Sequence, residues 1–158
     1  EKKIMDMIRY PERLTYAGRL DKDSEGLILL TNDGDLINAM MLGANRHEKE
    51  YIVKTDREIT PDFLQKMAKG IYLKDLDITT RECEIEQIGK FTFRIVLTQG
   101  VNRQIRRMCE ACGYRVKALK RIRIMNILLG NLKPGKWRKV TGEELEQLQR
   151  DTGMLNRN

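Results

Sequence analysis

The chain has 158 residues, of which 41% are hydrophobic and 34% charged, and its formal net charge is +7. This length suffices for one domain with a proper core but not for two domains of ordinary size. No apolar run approaches the roughly 20 residues of a membrane span, and the N-terminus does not resemble a signal peptide. We therefore expect a cytoplasmic protein without a membrane partner. The opening segment EKKIMDMIRY begins with Glu1 inside an amphipathic pattern, so we expect a fragment of a longer protein.

The first half of the chain predicts two strands and two helices. The apolar run Leu27–Thr31 is of strand length and ends at an Asn-Asp-Gly turn, after which apolar spacing predicts a helix over Asp35–Leu42. Alternation over Lys49–Thr55 predicts a half-buried strand. Thr60 as N-cap and Gly70 past the last turn then bound a second helix.

The middle of the chain predicts a hairpin and a third helix. Thr79–Glu86 and Phe91–Leu97 alternate on either side of a Gly-Lys pair, so we expect two antiparallel strands. Asn102 can cap a helix that runs to Cys112, with Gly113 as its stop. The apolar stripe of that helix consists of Ile105, Met108, Cys109 and Cys112.

The last third predicts strands over Tyr114–Lys120, Ile122–Leu129 and Trp137–Val140. A T-x-x-E capping box at Thr141 then begins a helix that reaches about Arg150, and residues 151–158 are predicted to fray. Antiparallel strands interrupted by a few helices indicate an α+β fold, with a mixed, largely antiparallel sheet flanked by helices and loops. We expect residues 1–150 to form one domain.

The three cysteines, Cys83, Cys109 and Cys112, form no disulfide framework, as is usual in a reducing compartment. Cys109 and Cys112 make a CxxC pair, but no second pair follows and His47 is the only histidine. A four-ligand zinc site is therefore difficult to assemble, and we predict no metal. Neither GxGxxG nor GxxxxGK[ST] is present, which gives nucleotide cofactors no support.

Positive charge is concentrated in one stretch of the chain. Between Arg103 and Arg123 eight basic residues face a single acid, Glu110, so the remainder is neutral overall. A basic block within one folded stretch indicates a polyanion site, although a solvated basic face explains it equally well. Sparse aromatic residues argue against a stacking platform for single strands.

The loop before the first predicted strand carries an unusual density of charge. Asp21 lies between Arg19 and that strand, and Asp23 and Glu25 follow on the same loop. An Asx turn or an N-cap is the ordinary explanation of such an aspartate. A loop beside a rigid strand can also aim a carboxylate at a substrate.

Four segments together resemble the RsuA/RluB/RluE/RluF family of ribosomal RNA pseudouridine synthases. They are GRLDKDSEGLILLTNDG at 18–34, HEKEYIV at 47–53, GVNRQIRRMCEACGY at 100–114 and LKRIRIMNILLGNLKPGKWRKVT at 119–141. HEKEY is most similar to the RluF branch, which acts on the 23S RNA of the large ribosomal subunit. The resemblance implies the pseudouridine synthase fold, here without the small S4-type RNA-binding domain that precedes it in relatives.

The resemblance also implies a reaction and its residues. The N1 glycosidic bond of a uridine is broken, the uracil turns, and it is rejoined through C5, without a cofactor. Asp21 matches the family's essential aspartate, and a carboxylate near C1′ suits that chemistry. Arg106 matches the arginine that pairs with it, with Arg103 and Arg107 as fallback candidates. Tyr51 matches the tyrosine that stacks on the target base, although such a tyrosine is often a core residue.

Further residues are assigned to the RNA. Arg19 resembles the family arginine that enters the space left by the flipped base, and Ile105 is expected either as pocket wall or as core. The predicted RNA-binding residues are Arg19, Arg103, Arg107, Lys120, Arg121 and Arg123.

Two other functions compete with the enzyme. A non-catalytic RNA-binding or ribosome-assembly module would use the basic block equally well. The joint presence of Asp21, Tyr51 and Arg106 favours catalysis, because a retired enzyme has no chemical reason to retain all three. A DNA-binding protein has no visible helix-turn-helix or zinc module in its support. We expect a monomer that acts on 23S ribosomal RNA and requires no protein partner.

Overall fold

A computed structural model describes residues 13–42 and 46–153. The predicted amphipathic segment EKKIMDMIRY and residues 154–158 of the predicted tail lie outside this part. The helices are α1 (Gly34–Leu42), α2 (Pro61–Lys69), α3 (Gln104–Ala111) and α4 (Gly142–Asp151). The strands are β1 (Thr15–Tyr16), β2 (Glu25–Gly26), β3 (Leu30–Thr31), β4 (Lys49–Thr55), β5 (Tyr72–Leu73), β6 (Ile78–Thr79), β7 (Glu84–Gly89), β8 (Thr92–Leu97), β9 (Val116–Ile124) and β10 (Ile127–Leu128).

A six-stranded sheet organises the molecule. Five of its strands run antiparallel in the order β10-β9-β4-β8-β7, and β2 joins β9 in parallel at Lys120 and Arg121. β1 pairs with β3 and β5 with β6 in two small ladders. The predicted α+β fold with a mixed, largely antiparallel sheet is confirmed.

Two apolar cores hold these elements together. The larger one lies where α2 and α3 cover one face of the sheet, and Phe63 there packs against Phe93 and Tyr114 at ring-centroid distances of 5.5 and 4.1 Å. The smaller one joins Met40 of α1 and Leu148 of α4 to the β9–β10 turn. Helix and sheet faces of this kind must be buried against each other, and this burial fixes where α3 sits.

Several predicted elements are confirmed because their signals are local. β4 has the predicted bounds, and the Thr60 Oγ1 accepts a hydrogen bond from the Phe63 N–H at 3.1 Å, as an N-cap should. β7 and β8 form a hairpin as predicted, but its first strand begins at Glu84 rather than Thr79, and Thr79 lies in β6. The predicted stripe of α3 faces the larger core, and Cys109 is fully buried within it.

The prediction of one strand over Leu27–Thr31 is wrong. β2 ends at Gly26 and β3 begins at Leu30, because the backbone between them bonds to two different partners. The Leu27 N–H donates to the Arg121 carbonyl at 2.8 Å, and the Leu29 carbonyl accepts from the Ala17 N–H at 2.9 Å. Leu27 and Leu29 are buried from an irregular segment.

The strands after α3 also differ from expectation. β9 runs without a break through the position where two strands were predicted, and Met125 with φ 52° starts the turn into β10. Residues 137–140 form no strand. The short β5–β6 ladder was not predicted, because two-residue strands leave almost no alternation in sequence.

Helix ends give two further corrections. Arg103, not Asn102, is the N-cap of α3, with left-handed φ 51° and ψ 36° and no capping side chain. α4 continues through Asp151, and the Thr152 Oγ1 donates to the Leu148 carbonyl at 2.8 Å, so the predicted fraying does not begin at residue 151. Within residues 13–42 and 46–153, no helix has the length and apolarity needed to cross a membrane.

Candidate active site

A cleft of about 280 Å³ opens where the loop from Gly18 to Ser24, the middle of β4 and β9, and the first turn of α3 meet. It brings together residues from all four segments that the sequence singled out. The cleft is lined on these elements by Arg19, Asp21, Lys49, Tyr51, Arg103, Ile105, Arg106 and Arg121.

Strand pairing builds the floor of the cleft. Tyr51 on β4 lies directly opposite Arg121 on β9, and Lys49 precedes Tyr51 by two residues on the same face of β4. Ile105 is 4% exposed and contributes both to this cleft and to the larger core.

Asp23 fastens the loop to α3. Its carboxylate accepts hydrogen bonds from both terminal nitrogens of Arg103, at 2.9 and 2.8 Å, and its carbonyl accepts one from the Arg106 Nη2 at 2.6 Å. The hydrogen bond from Arg103 holds the pKa of Asp23 at about 2. This bidentate contact also fixes the side chain of the left-handed Arg103.

Asp21 is left largely outside this contact. Its side chain is 39% exposed, and the nearest cationic nitrogen among the described residues is the Arg103 Nη1 at 3.9 Å. The predicted ion pair between Asp21 and Arg106 is therefore not formed, and the fallback candidate Arg103 is nearer. The Ser24 N–H donates to the Asp21 carbonyl at 3.0 Å, which closes a turn. The carboxylate that binds the arginines at the start of α3 is therefore that of Asp23 and not that of Asp21.

Tyr51 is partly buried on the floor of the cleft. Burial raises the pKa of its hydroxyl, the nearby Arg121 guanidinium opposes this, and the Asp21 carboxylate adds to it. The hydroxyl is consequently neutral at physiological pH, as a hydrogen-bond donor or a stacking ring requires.

Arg121 requires a correction. It was predicted to bind RNA at the surface, but it is 2% exposed, and it donates to the carbonyls of Leu27 at 2.9 Å and Arg19 at 3.3 Å. A register shift between Glu50 and Tyr51 breaks the alternation on β9, so Arg121 pairs with Tyr51 while Arg123 pairs with Glu50. Regular alternation would have placed both arginines on one face.

The other predicted RNA contacts occupy varied surroundings. Arg123 donates to Glu50 at 2.8 Å and Glu48 at 3.0 Å, away from the cleft. Arg107 is turned back onto the carbonyl of Asn102 at 2.9 Å. Arg19 is exposed at the rim of the cleft, and Lys120 is exposed on β9. Arg19 and Lys120 are therefore the two of these four residues that are exposed.

Sequence reasoning missed Lys49 as a site residue. It lines the cleft, and burial, followed by the neighbouring Arg121, lowers its pKa. The sequence pattern that could have identified Lys49 is its position two residues before Tyr51 on an alternating strand, which places both side chains on one face. Within the described ranges no cluster of three metal-ligating side chains occurs, and burial raises the pKa of Cys109 to about 12.

Comparison with known proteins assigns the class. Residues 2–111 match the RNA pseudouridylate synthase family, and the chain belongs to that family. It is 48% identical over 92% of its length to the dual-specificity RNA pseudouridine synthase RluF of Escherichia coli K12, and covers 49% of that protein. It is 37% identical over 93% of its length to an uncharacterized RNA pseudouridine synthase of Aquifex aeolicus, of which it covers 62%. The chain therefore spans about half the length of RluF.

Solved structures agree on the fold. A crystal structure of a pseudouridylate synthase superposes with a TM-score of 0.86 at 30% identity, over 92% of this chain and 64% of that one. An H/ACA RNP bound to a substrate RNA is 18% identical with a TM-score of 0.52, over 74% of this chain and 40% of that chain, and shares the fold alone.

Proposed function

We propose that the protein isomerises a uridine of ribosomal RNA to pseudouridine. The observation that carries this proposal is the cleft, which an accessible carboxylate, Asp21, lines together with Tyr51 and several basic side chains. Arg103 and Arg106 are engaged by Asp23, which leaves Asp21 available to a ligand. A structural aspartate would instead take the arginine contacts itself.

The chemistry follows from these groups. Asp21 would act at C1′, either as nucleophile or by stabilising the positive charge that develops there. The electron pair of the C1′–N1 bond passes to the uracil, the ring turns over the Tyr51 side chain, and C5 attacks C1′. The C5 proton then leaves to solvent and N1 takes one from solvent, so the product is an isomer of the substrate.

A paired uridine must leave its stack to enter the cleft, at a cost of a few kcal/mol. Arg19, exposed at the rim, would enter the gap that the base leaves in the RNA helix, and the exposed Lys120 would bind phosphate. Neither contact reads sequence, so the choice of uridine depends on RNA shape as well.

The HEKEY segment and the 48% identity to RluF support 23S RNA of the large subunit as the substrate. The dual specificity in the name of that relative supports a second RNA substrate as well. We further propose action as a monomer in the cytoplasm. The large exposed apolar side chains of the described residues, among them Met41, Tyr72 and Ile88, lie on different elements.

The experiment offers the purified protein unmodified transcripts of 23S RNA, 16S RNA and transfer RNA. Pseudouridine is mapped by mass spectrometry of nuclease digests. We expect one modified uridine in 23S RNA, with a second RNA modified more slowly. Modification of 16S RNA alone would contradict 23S RNA as the substrate. Binding of RNA without formation of pseudouridine would favour the non-catalytic RNA-binding module.

A further inference from the structure

The floor of the cleft holds an arginine with an unused donor. Arg121 is 2% exposed, and its Nε and Nη1 donate to main-chain carbonyls. Its Nη2 is buried and makes no hydrogen bond of ordinary geometry within the described residues, although the guanidinium lies close enough to the Tyr51 hydroxyl to influence the pKa of both groups. A buried, unsatisfied donor on a charged group is costly, so such groups in native proteins call for a ligand.

Lys49 places a second cation beside it. The side chain is half-buried in the same cleft, and no carboxylate in the described ranges pairs with it. Burial and the proximity of Arg121 both lower its pKa, and burial lowers that of Arg121. Two adjacent cations without a counter-ion destabilise the empty cleft, and an anion between them would relieve this.

The two signs of charge lie on different sides of the cleft. Arg121 and Lys49 are on the strand floor with Tyr51, whereas Asp21 is on the loop wall. A nucleotide whose base lies on Tyr51 would therefore meet the cations with its uracil and the carboxylate with its sugar. Its phosphates would remain at the rim, near Arg19, because Arg121 is too deeply buried to reach them.

We propose that Arg121 and Lys49 bind the uracil oxygens and stabilise the negative charge that the ring gains as the C1′–N1 bond breaks. The bonding electron pair goes to N1 and is delocalised onto O2 and O4, while Asp21 faces the electron-deficient C1′. No proton moves in this step, and the same pair is returned when C5 attacks C1′. This inference rests on the proposed function and adds the stabilisation of its leaving group.

A comparison of two substrates tests this role. 5-Fluorouracil is a better leaving group than uracil because fluorine stabilises the ring anion, so its departure depends less on external cations. Single-turnover rates are measured at saturating protein on RNA containing uridine or 5-fluorouridine, by mass spectrometry of the C-linked product. The fluorinated C-linked adduct is retained, because C5 carries fluorine in place of the hydrogen that is normally lost as a proton.

The variants are chosen to separate charge from folding. Lys49→Met removes a charge without breaking a protein hydrogen bond, and Lys49→Arg restores it. Lys54→Met is the matched control, because Lys54 is exposed on the same strand and points to the other face. Arg121→Lys keeps the charge and loses donors, and its thermal unfolding is recorded because it also loses the contacts to Leu27 and Arg19.

We expect Lys49→Met to slow uridine conversion by about 10²-fold, as for the loss of one donor to a developing anion. The fold reduction for 5-fluorouridine should be smaller by a factor of at least about 10. Lys49→Arg should recover part of the rate. Equal losses on both substrates, or a loss of RNA affinity with an unchanged saturating rate, would overturn the inference. If wild-type protein converts uridine and Lys49→Met matches it, only this inference fails; if wild-type protein converts none, the proposed function fails with it.

Discussion

Asp21 and Asp23 stand two positions apart on one loop and have different surroundings. Asp23 holds Arg103, the N-cap of α3, and Arg106 in its first turn, and Asp21 is left with one cation at 3.9 Å. The Asp23 carboxylate therefore sets the position of the loop, and the Asp21 carboxylate is free to meet a substrate. This division explains why one short loop carries so much charge.

The pKa of Asp23 gives a test of this contact. Because that pKa is lowered on folding from 3.8 to about 2, the contact stabilises the protein above pH 3.8 and is lost as the pH falls toward 2. In Arg103→Ala, the main cause is removed, and we expect the Asp23 midpoint to return toward 3.8. Carboxyl NMR titration measures it; an unchanged midpoint near 2 would contradict the contact.

Tyr51 tests the hydroxyl separately from the ring. Tyr51→Phe keeps the ring and should leave RNA affinity and unfolding temperature close to wild type. We expect the single-turnover rate to fall by about 10²-fold, because the neutral hydroxyl is lost beside Asp21 and Arg121. A phenylalanine variant with the wild-type rate would reduce Tyr51 to a stacking residue and leave the role of Asp21 untouched.

At the scale of elements, β2 determines where the loop from Gly18 to Ser24 lies. It is only two residues long, but it pairs in parallel with β9 beside Arg121. Gly26 ends this strand with φ +119°, and a Cβ at that position would overlap the Arg121 backbone. Glycine is therefore required for the close approach that brings Asp21 to the cleft.

Gly26→Ala should lower the free energy of unfolding by about 1 to 3 kcal/mol and reduce activity, since the loop must move away from β9. Gly34→Ala is the control, because no atom lies within 4 Å of the added Cβ and its φ is not positive. Urea unfolding and turnover are compared. Equal stability of the two variants would show that β2 is not held as described.

Local and distant signals explain which elements were predictable. The caps of α2, the alternation of β4 and the stripe of α3 depend on neighbouring residues, and all three were predicted. The Leu27–Thr31 strand failed because the Arg121 carbonyl, 94 residues away, takes the Leu27 N–H. Arg121 was misplaced because a register shift between strands leaves no mark in one sequence. The cleft residues were identifiable by resemblance, but their pairing depends on tertiary contacts.

At the scale of the whole molecule, much of the basic block is used inside the protein. Arg103 and Arg106 bind Asp23, Arg121 is buried, and Arg123 is shared between Glu48 and Glu50. Net charge therefore overstates the number of phosphates that this block can bind. We expect exposed members such as Lys120 to contribute to RNA affinity.

Two alanine variants separate these roles. Lys120→Ala should weaken RNA binding and lower the slope of log Kd against log salt by about 1, with an unchanged unfolding temperature. Arg123→Ala should keep the slope and lose about 1 to 3 kcal/mol of stability, because Glu50 is left partly buried without this partner. The reverse pattern would place Arg123, not Lys120, on the RNA.

The central role of Asp21 is tested most directly by Asp21→Asn, which is nearly isosteric and removes the charge that the glycosidic step requires. Tritium release is followed from 23S RNA labelled at C5 of uridine, alongside RNA affinity and thermal unfolding. We expect wild-type affinity and stability with release reduced by at least about 10³-fold. Release near the wild-type rate would show that Asp21 is not the catalytic carboxylate.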